Sequence, residues 1–432
     1  MGAQGTTGGS TVRFRCSGPR DRGRRAVALL VGVGAAAAAG CTAQDKPTAE
    51  AVELSVSPRQ GGTVAPDAPI AVQAKRGTLA GVRVSTGGTA VAGSLNEDGT
   101  AWRSRWALTP GKSYTVSATA LGEDGRSRTV HSRFATARVE KTNPMTLEGP
   151  FAGETVGVGM PIVMSFEEPV KDRAAVERAL VVRSNKPAEG AWHWVDDQKV
   201  AFRPKDYWPA QTKVSVQAHL AGVSTSKGVY GGKNYNVDFK VGDSQISTAD
   251  EDSHKMVVKV NGKKVRTIPT SMGDGSERRF TTTNGVHVAM QKDDPVTMTS
   301  SWMGISPGSA GGYSLVVDDA VRISDSGEYV HSAPWSVGSQ GSSNVSHGCV
   351  NVSPSNAEWF YEKTMRGDPI VVTGTDRELE PYNGWGYWQM DWKKWVDGSA
   401  LKRSVKTGPN ADPATLSAQA DGKAGEEKPT GG

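Results

Sequence analysis

Cysteine is scarce in this chain: three in 432 residues, at positions 16, 41 and 349, too few and too far apart for a disulfide framework or a C-x-x-C metal site. Histidine numbers only seven, with no H-E-x-x-H and none after position 349. Long apolar runs are missing too. The longest, Ala26 to Ala39, is roughly 14 residues where a bilayer needs roughly 20, and the mean hydropathy of -0.44 excludes a polytopic membrane protein. Charge of one sign is lacking once the start is set aside. The formal +5 rests on six of 50 Lys+Arg against one of 45 Asp+Glu within residues 1–40, and the remainder carries 44 of each. No nucleic-acid partner is expected on charge grounds. What is present, 37% hydrophobic and 22% charged residues with 52 Gly and 23 Pro, fits two to three folded domains and excludes a coiled coil or a wholly disordered chain.

The arginine-rich start followed by the short apolar run predicts an export signal over 1–40. Ala38-Ala39-Gly40-Cys41 resembles the lipobox of bacterial lipoproteins, although it lacks the leucine usual three residues before the cysteine. That resemblance implies a diacylated N-terminal Cys41 and a protein held at the outer face of the cytoplasmic membrane, in the cell wall. The alternative is an ordinary cleaved signal, and Arg24-Arg25 permits twin-arginine export. With Cys16 removed and Cys41 lipidated, Cys349 is the one thiol left, and an unpaired thiol outside the cell points to a reactive group.

Residues 48–140 consist of short β-branched runs, such as Tyr114-Thr115-Val116-Ser117-Ala118-Thr119, punctuated by Gly, Pro and Asp turns. The pattern predicts an immunoglobulin-like β-sandwich. Residues 144–243 repeat it, because Leu108 to Val116 is echoed about 100 positions later by Trp208 to Val216. His131, His193 and His219 are isolated, so both modules read as spacers or binding units.

The polar stretch Gly242 to Asp252 is read as a linker, with a catalytic domain over 251–376. There, Met256–Val260 and Lys263–Ile268 flank Asn261-Gly262, a tight-hairpin signal. Ala320–Ser324 and Glu328–His331 flank a second turn. Ser353-Pro354 opens one main helix with Ala357, Phe360, Tyr361 and Thr364 facing the core, stopped by Gly367 and Pro369, and Ile370–Thr373 closes with a strand. The fold class is therefore mostly β: two sandwiches, then a mixed β catalytic domain.

Between the second hairpin and the helix stand His331-Ser332-Ala333-Pro334-Trp335 and Ser346-His347-Gly348-Cys349-Val350-Asn351. A cysteine nucleophile needs an imidazole to take its proton, and a preceding glycine lets a carbonyl approach backbone N–H donors. His347 would have to turn sharply back to reach the thiol, whereas His331 can cross from the neighbouring strand. His331 is the preferred base. His331, His347 and Cys349 lack a further ligand at chelating spacing, so neither a metal nor another cofactor is expected.

These two motifs resemble the L,D-transpeptidase (YkuD) catalytic domain in its mycobacterial and actinobacterial form. The resemblance extends over the exported chain, since those enzymes are membrane-tethered, carry immunoglobulin-like modules and end in a short aromatic extension. It implies transfer of a peptidoglycan tetrapeptide stem, released at its diaminopimelate–D-alanine bond, to a second stem as a 3→3 cross-link, with peptidoglycan stem peptides as partners and carbapenems as covalent inhibitors. It also implies Cys349 as nucleophile, His331 as base, the Ser332 backbone carbonyl as its orienting group, and the Gly348 and Cys349 amides as oxyanion hole. Tyr313 is implied as a lid residue over the donor pocket, and Ser326, Trp335, His347 and Asn351 as residues lining or bracing it.

Papain-like and NlpC/P60-type hydrolases place histidine after cysteine, unlike this chain, and the sortase Thr-Leu-x-Thr-Cys strand is missing. A cell-wall adhesin would account for the sandwiches but not for the S-H-G-C loop. In 377–403, Trp385, Trp388, Trp392 and Trp395 fall at spacings of one helical face, predicting a helix covered by the catalytic domain or the second module, or less readily by a membrane interface. Residues 404–432 read as a disordered tail.

Overall fold

The computed structural model describes residues 50–411. The predicted signal segment, Cys41 and residues 412–432 lie outside the described residues. The first module is a sandwich of two sheets, one of Glu53–Ser57, Ala71–Lys75, Ala101–Ser104 and Gly93–Leu95, the other centred on Ser113–Gly122 between Gly77–Thr86 and Ser127–Thr136. Ser113–Gly122 alternates in burial, with Tyr114, Val116, Ala118 and Ala120 inward. This is the period-2 face that a half-buried strand needs. The Tyr114 hydroxyl accepts from the Thr109 N–H at 2.8 Å, which satisfies its polar tip in the core.

The second module repeats the plan, and Trp208 is buried where the first has Leu108. Two of its strands break the alternation. Glu189–Trp194 and Lys199–Pro204 are buried on both faces, because the C-terminal extension covers the outer one. Trp395 is fully buried there, its Nε1 donating to the Ala191 carbonyl at 2.9 Å. The Arg203 guanidinium lies over the rings of Trp388, Trp392 and Trp395 at 4.7, 5.3 and 4.9 Å. The cover for the tryptophans is thus the second module. They do not share one helix: Gly386–Gln389 is a 3-10 turn and Trp392–Asp397 a separate α-helix capped by Asp391. Each needs its own angle to reach the sheet.

The tail is also more ordered than predicted at its start. Val405–Lys406 pairs antiparallel with Glu189–Gly190 and extends the module's sheet. Buried Glu177 accepts from Trp194 Nε1, Ser399 Oγ, and the Ala400 and Leu401 amides, pinning the end of the extension.

The catalytic domain begins earlier than position 251. Gln245–Asp250, read as linker, is a strand between Lys255–Val260 and Pro369–Thr373. Its Gln245 and Ser247 are buried, so polar composition concealed it. The Asn261-Gly262 hairpin is present with both φ positive, +50° and +79°. A second sheet carries Gln291–Asp293, Ala320–Arg322, Tyr329–Ser332 and Val350–Val352. Pro354–Lys363 packs Ala357 and Phe360 into the core, ending before Gly367. Val258, Ile268, Val330, Val350, Phe360 and Ile370 belong to one buried cluster, which fixes the second sheet and so the site.

Candidate active site

Tyr329–Ser332 and Val350–Val352 are neighbouring parallel strands, pairing Val330 with Val350 and His331 with Asn351. By that register Cys349, at the entry of its strand, stands beside Tyr329, two residues along from His331 and on the same face of the sheet. His331 is 4% exposed, and its Nδ1 lies 2.8 Å from the Ser332 carbonyl oxygen. A carbonyl only accepts, so Nδ1 carries the proton of the neutral ring and Nε2 presents its lone pair. Burial pulls this imidazole down to about 4, against the opposing pull of the Ser332 carbonyl. Cys349 is half-buried. Its thiol is pushed up to about 12, chiefly by burial and further by the Glu328 charge, against a backbone hydrogen bond from Tyr329. At neutral pH the pair rests as thiol and neutral imidazole, and the thiol donates to the Gly327 carbonyl at 3.7 Å.

The loop before the cysteine is tightly bonded. Ser346 Oγ donates to the Cys349 carbonyl at 2.6 Å and accepts from the Gly348 N–H at 3.1 Å. The Gly348 amide, expected in an oxyanion hole, is therefore engaged within its own loop. Gly348 has φ +126°, which glycine alone holds without strain, while an added Cβ would meet nothing nearer than 3.9 Å. Backbone conformation, not space, requires the glycine.

His347 packs edge-on against Phe280 at 4.7 Å and tilted against Tyr313 at 5.3 Å, so Tyr313, expected as a lid residue, rests on the loop that carries Cys349. Trp335 is exposed, its ring 6.0 Å from that of His331. Ser326 is bound from the extension: Asn383 Oδ1 accepts from its N–H at 2.8 Å and Asn383 Nδ2 donates to its Oγ at 2.9 Å. Asn351 is buried, donates to Ser336 Oγ at 3.2 Å and exchanges backbone bonds with Ser271. Its side chain braces the loop that follows His331. Sequence reasoning missed Asn383, Phe280 and Glu328. None left a local signal, because each meets its partner across 45 residues or more of chain.

Residues 244–372 match the L,D-transpeptidase catalytic domain, YkuD, and residues 61–224 match a bacterial Ig domain. The chain is 40% identical to L,D-transpeptidase 2 of Mycobacterium tuberculosis (strain CDC 1551 / Oshkosh) over 81% of its own length and 85% of that protein. This chain belongs to the L,D-transpeptidase family. It is also 37% identical to L,D-transpeptidase 5 of M. tuberculosis (strain ATCC 25618 / H37Rv), over 78% of this chain and 74% of that one. Among solved structures, an LD transpeptidase in complex with imipenem is 40% identical, covering 54% of this chain and 99% of its own, with a TM-score of 0.47. Membership of the family makes the chain an acyltransferase, built as immunoglobulin-like modules followed by a YkuD domain.

Proposed function

We propose that this L,D-transpeptidase joins two peptidoglycan stem peptides by a 3→3 cross-link through a thioester on Cys349. The observation that carries the reading is the parallel pairing of the His331 strand with the strand after Cys349, inside the segment that matches the catalytic family. Sγ attacks the diaminopimelate carbonyl of the donor stem while His331 Nε2 takes the thiol proton, and the same nitrogen returns that proton to the departing D-alanine amine. The acceptor stem's side-chain amine then attacks the thioester, gives its proton to His331, and releases the thiolate, which takes the proton back. The Ser332 carbonyl holds the ring through both steps. With the Gly348 amide engaged by Ser346, the oxyanion falls to the Cys349 amide, joined by Gly348 if the loop shifts on binding. Tyr313, His347, Trp335 and Ser326 surround the donor.

A purified disaccharide-tetrapeptide incubated with the enzyme should give a dimer that has lost one D-alanine, detected by mass spectrometry. Tripeptide alone would mean that water is the acceptor and would remove the cross-linking claim. The same thiol should open a carbapenem and keep it as a thioester. Export and a diacyl anchor on Cys41 would place the chemistry in the wall. A fatty-acid analogue that labels wild type and Cys41→Ala equally would remove the anchor.

A further inference from the structure

The two immunoglobulin-like modules carry a feature that the transfer chemistry does not use. In the first, Ser85, Thr115 and Arg133 stand side by side across three neighbouring strands, and Arg83, Ser117 and His131 form the next row on the same face. These six residues line a groove of about 400 Å³, and among the described residues no acidic one lines it. The Ser85 and Thr115 hydroxyls lie 2.8 Å apart at its floor.

The second module repeats the arrangement. Thr115 is echoed about 100 positions later by Ser215, in the corresponding strand Lys213–Ala218. Ser215 stands between Arg183 and Asp238, and Lys213 pairs with Lys240 in the next row. Arg183, Lys213 and Lys240 border a groove of about 540 Å³, in which Asp238 is the one acid among the described residues. Arg83, Arg133, Arg183, Lys213 and Lys240 are all exposed, and among the described residues none has an ion pair or a side-chain hydrogen bond. A merely solvated face intersperses both signs of charge. Here unpaired cations sit in a depression beside hydroxyls, twice, at equivalent places of a repeated fold. That set suits carboxylates, because a guanidinium forks onto both oxygens, an ammonium adds a point charge and a hydroxyl a further donor.

We propose that both grooves bind the free carboxylates of peptidoglycan stem peptides and so hold the enzyme on the polymer whose stems it joins. The proposal rests on the reading of the substrate as peptidoglycan. A stem that is not cross-linked through its end terminates in a carboxylate, as any peptide does, so the polymer presents that group repeatedly along each strand. One exposed groove holds one such group weakly, since water and salt screen the charges. Two grooves on one chain that meets many carboxylates bind through effective concentration, which neither groove has alone.

The test is co-sedimentation of the full chain with insoluble peptidoglycan at low salt, in a Cys349→Ala background so that no covalent adduct contributes. Arg83→Gln with Arg133→Gln, and Arg183→Gln with Lys240→Gln, should each weaken binding about threefold, and all four together about tenfold or more. Raising the salt to about 0.3 M should bring the background chain down to the level of the fourfold variant. If one pair does not fold, the other decides alone, weaker binding supporting the proposal and unchanged binding overturning it. Peptidoglycan freed of attached phosphodiester polymers should bind as before, and peptidoglycan whose stems an amidase has removed should not. Unchanged sedimentation of the fourfold variant, binding that survives the amidase, or binding lost with the phosphodiester polymers overturns the proposal. With Cys349 intact, the four substitutions should leave cross-linking of the soluble disaccharide-tetrapeptide at the wild-type rate. That measurement separates the two claims: no dimer from wild type defeats the substrate reading, whereas a dimer with unchanged sedimentation defeats only the grooves.

Discussion

His331 Nδ1 faces the carbonyl oxygen of its own neighbour, Ser332, at 2.8 Å. A backbone atom thereby holds the tautomer that a carboxylate holds in a serine-protease triad, and it does so without a charge to stabilise an imidazolium at rest.

The consequence is a pH profile. With the imidazole at about 4 and the thiol at about 12, the neutral pair dominates between those limits. Wild-type acylation by a carbapenem should be nearly flat from pH 6 to 9 and fall as His331 protonates near pH 4. In His331→Ala only pre-formed thiolate reacts, so the rate should be far lower and climb about tenfold per pH unit. Stopped-flow absorbance of the β-lactam distinguishes the two, and a flat profile in His331→Ala would defeat the base assignment. Stability follows the same group. The unfolded ring takes a proton near 6.5 and the folded one near 4, so acidification through that window favours unfolding by up to about 3 kcal/mol.

The extension should behave as part of the second module. Glu177→Ala leaves the Trp194 indole N–H, the Ser399 hydroxyl and the Ala400 amide without their acceptor, while the Leu401 amide keeps Ser399 Oγ at 3.0 Å, at a cost of about 2–4 kcal/mol. Ending the chain at Thr375 uncovers the sheet beneath Trp395 and should lower Tm further. Limited proteolysis should cut Glu177→Ala first between 376 and 404. Equal melting of the truncated and full chains would mean that the tryptophan cover contributes nothing.

Asp368 sits where the two folds touch. The Gly157 and Gly159 amides donate to the Arg366 and Gly367 carbonyls at 2.8 Å, and Asp368 accepts from the Met365 amide while its Oδ1 has no protein partner among the described residues. Burial raises this carboxyl to about 8, against the Met365 bond and the Lys292 charge. Its folded pKa exceeds its unfolded one, so its contribution is complete at acid pH and is lost as pH rises towards 8. Asp368→Asn should remove that loss and be more stable than wild type at pH 8 by at least about 2 kcal/mol, with the gap narrowing by pH 5 and closing near pH 4. A gap independent of pH would show that Asp368 does not titrate in this range.

What the sequence disclosed and concealed follows from where each element's partners lie. Asn261-Gly262 was legible because the turn demands two positive φ angles that this dipeptide supplies locally. Ser113–Gly122 was legible because one face is covered and the other is not. Ala191 to Trp194 has no alternation to read, since its second cover, Trp395, comes from over 200 residues downstream. Gln245–Asp250 read as linker because its parallel partner begins at Pro369. Cys349 and His331 were visible as residue types in a motif. Glu328 was not, because its buried anchor, Thr283, stands 45 residues away and an isolated glutamate ordinarily marks a solvent face.

Gly348 offers the sharpest separation of backbone from side-chain effects at the site. At φ +126°, with no atom within 3.9 Å of a built Cβ, Gly348→Ala introduces strain without a clash, at a cost of about 1–3 kcal/mol. The catalytic core is untouched, so the variant should fold with a slightly lower Tm. The strain can be relieved only by rotating the peptide that carries the Gly348 N–H away from Ser346 Oγ, and the Cys349 amide turns with it. Acylation by a carbapenem should therefore slow by about 10- to 100-fold through the loss of oxyanion alignment, while alkylation by iodoacetamide, which forms no oxyanion, should change little. Parallel losses in both reactions would show that the thiol itself had moved, and the amides of this loop would then have no separate part in catalysis.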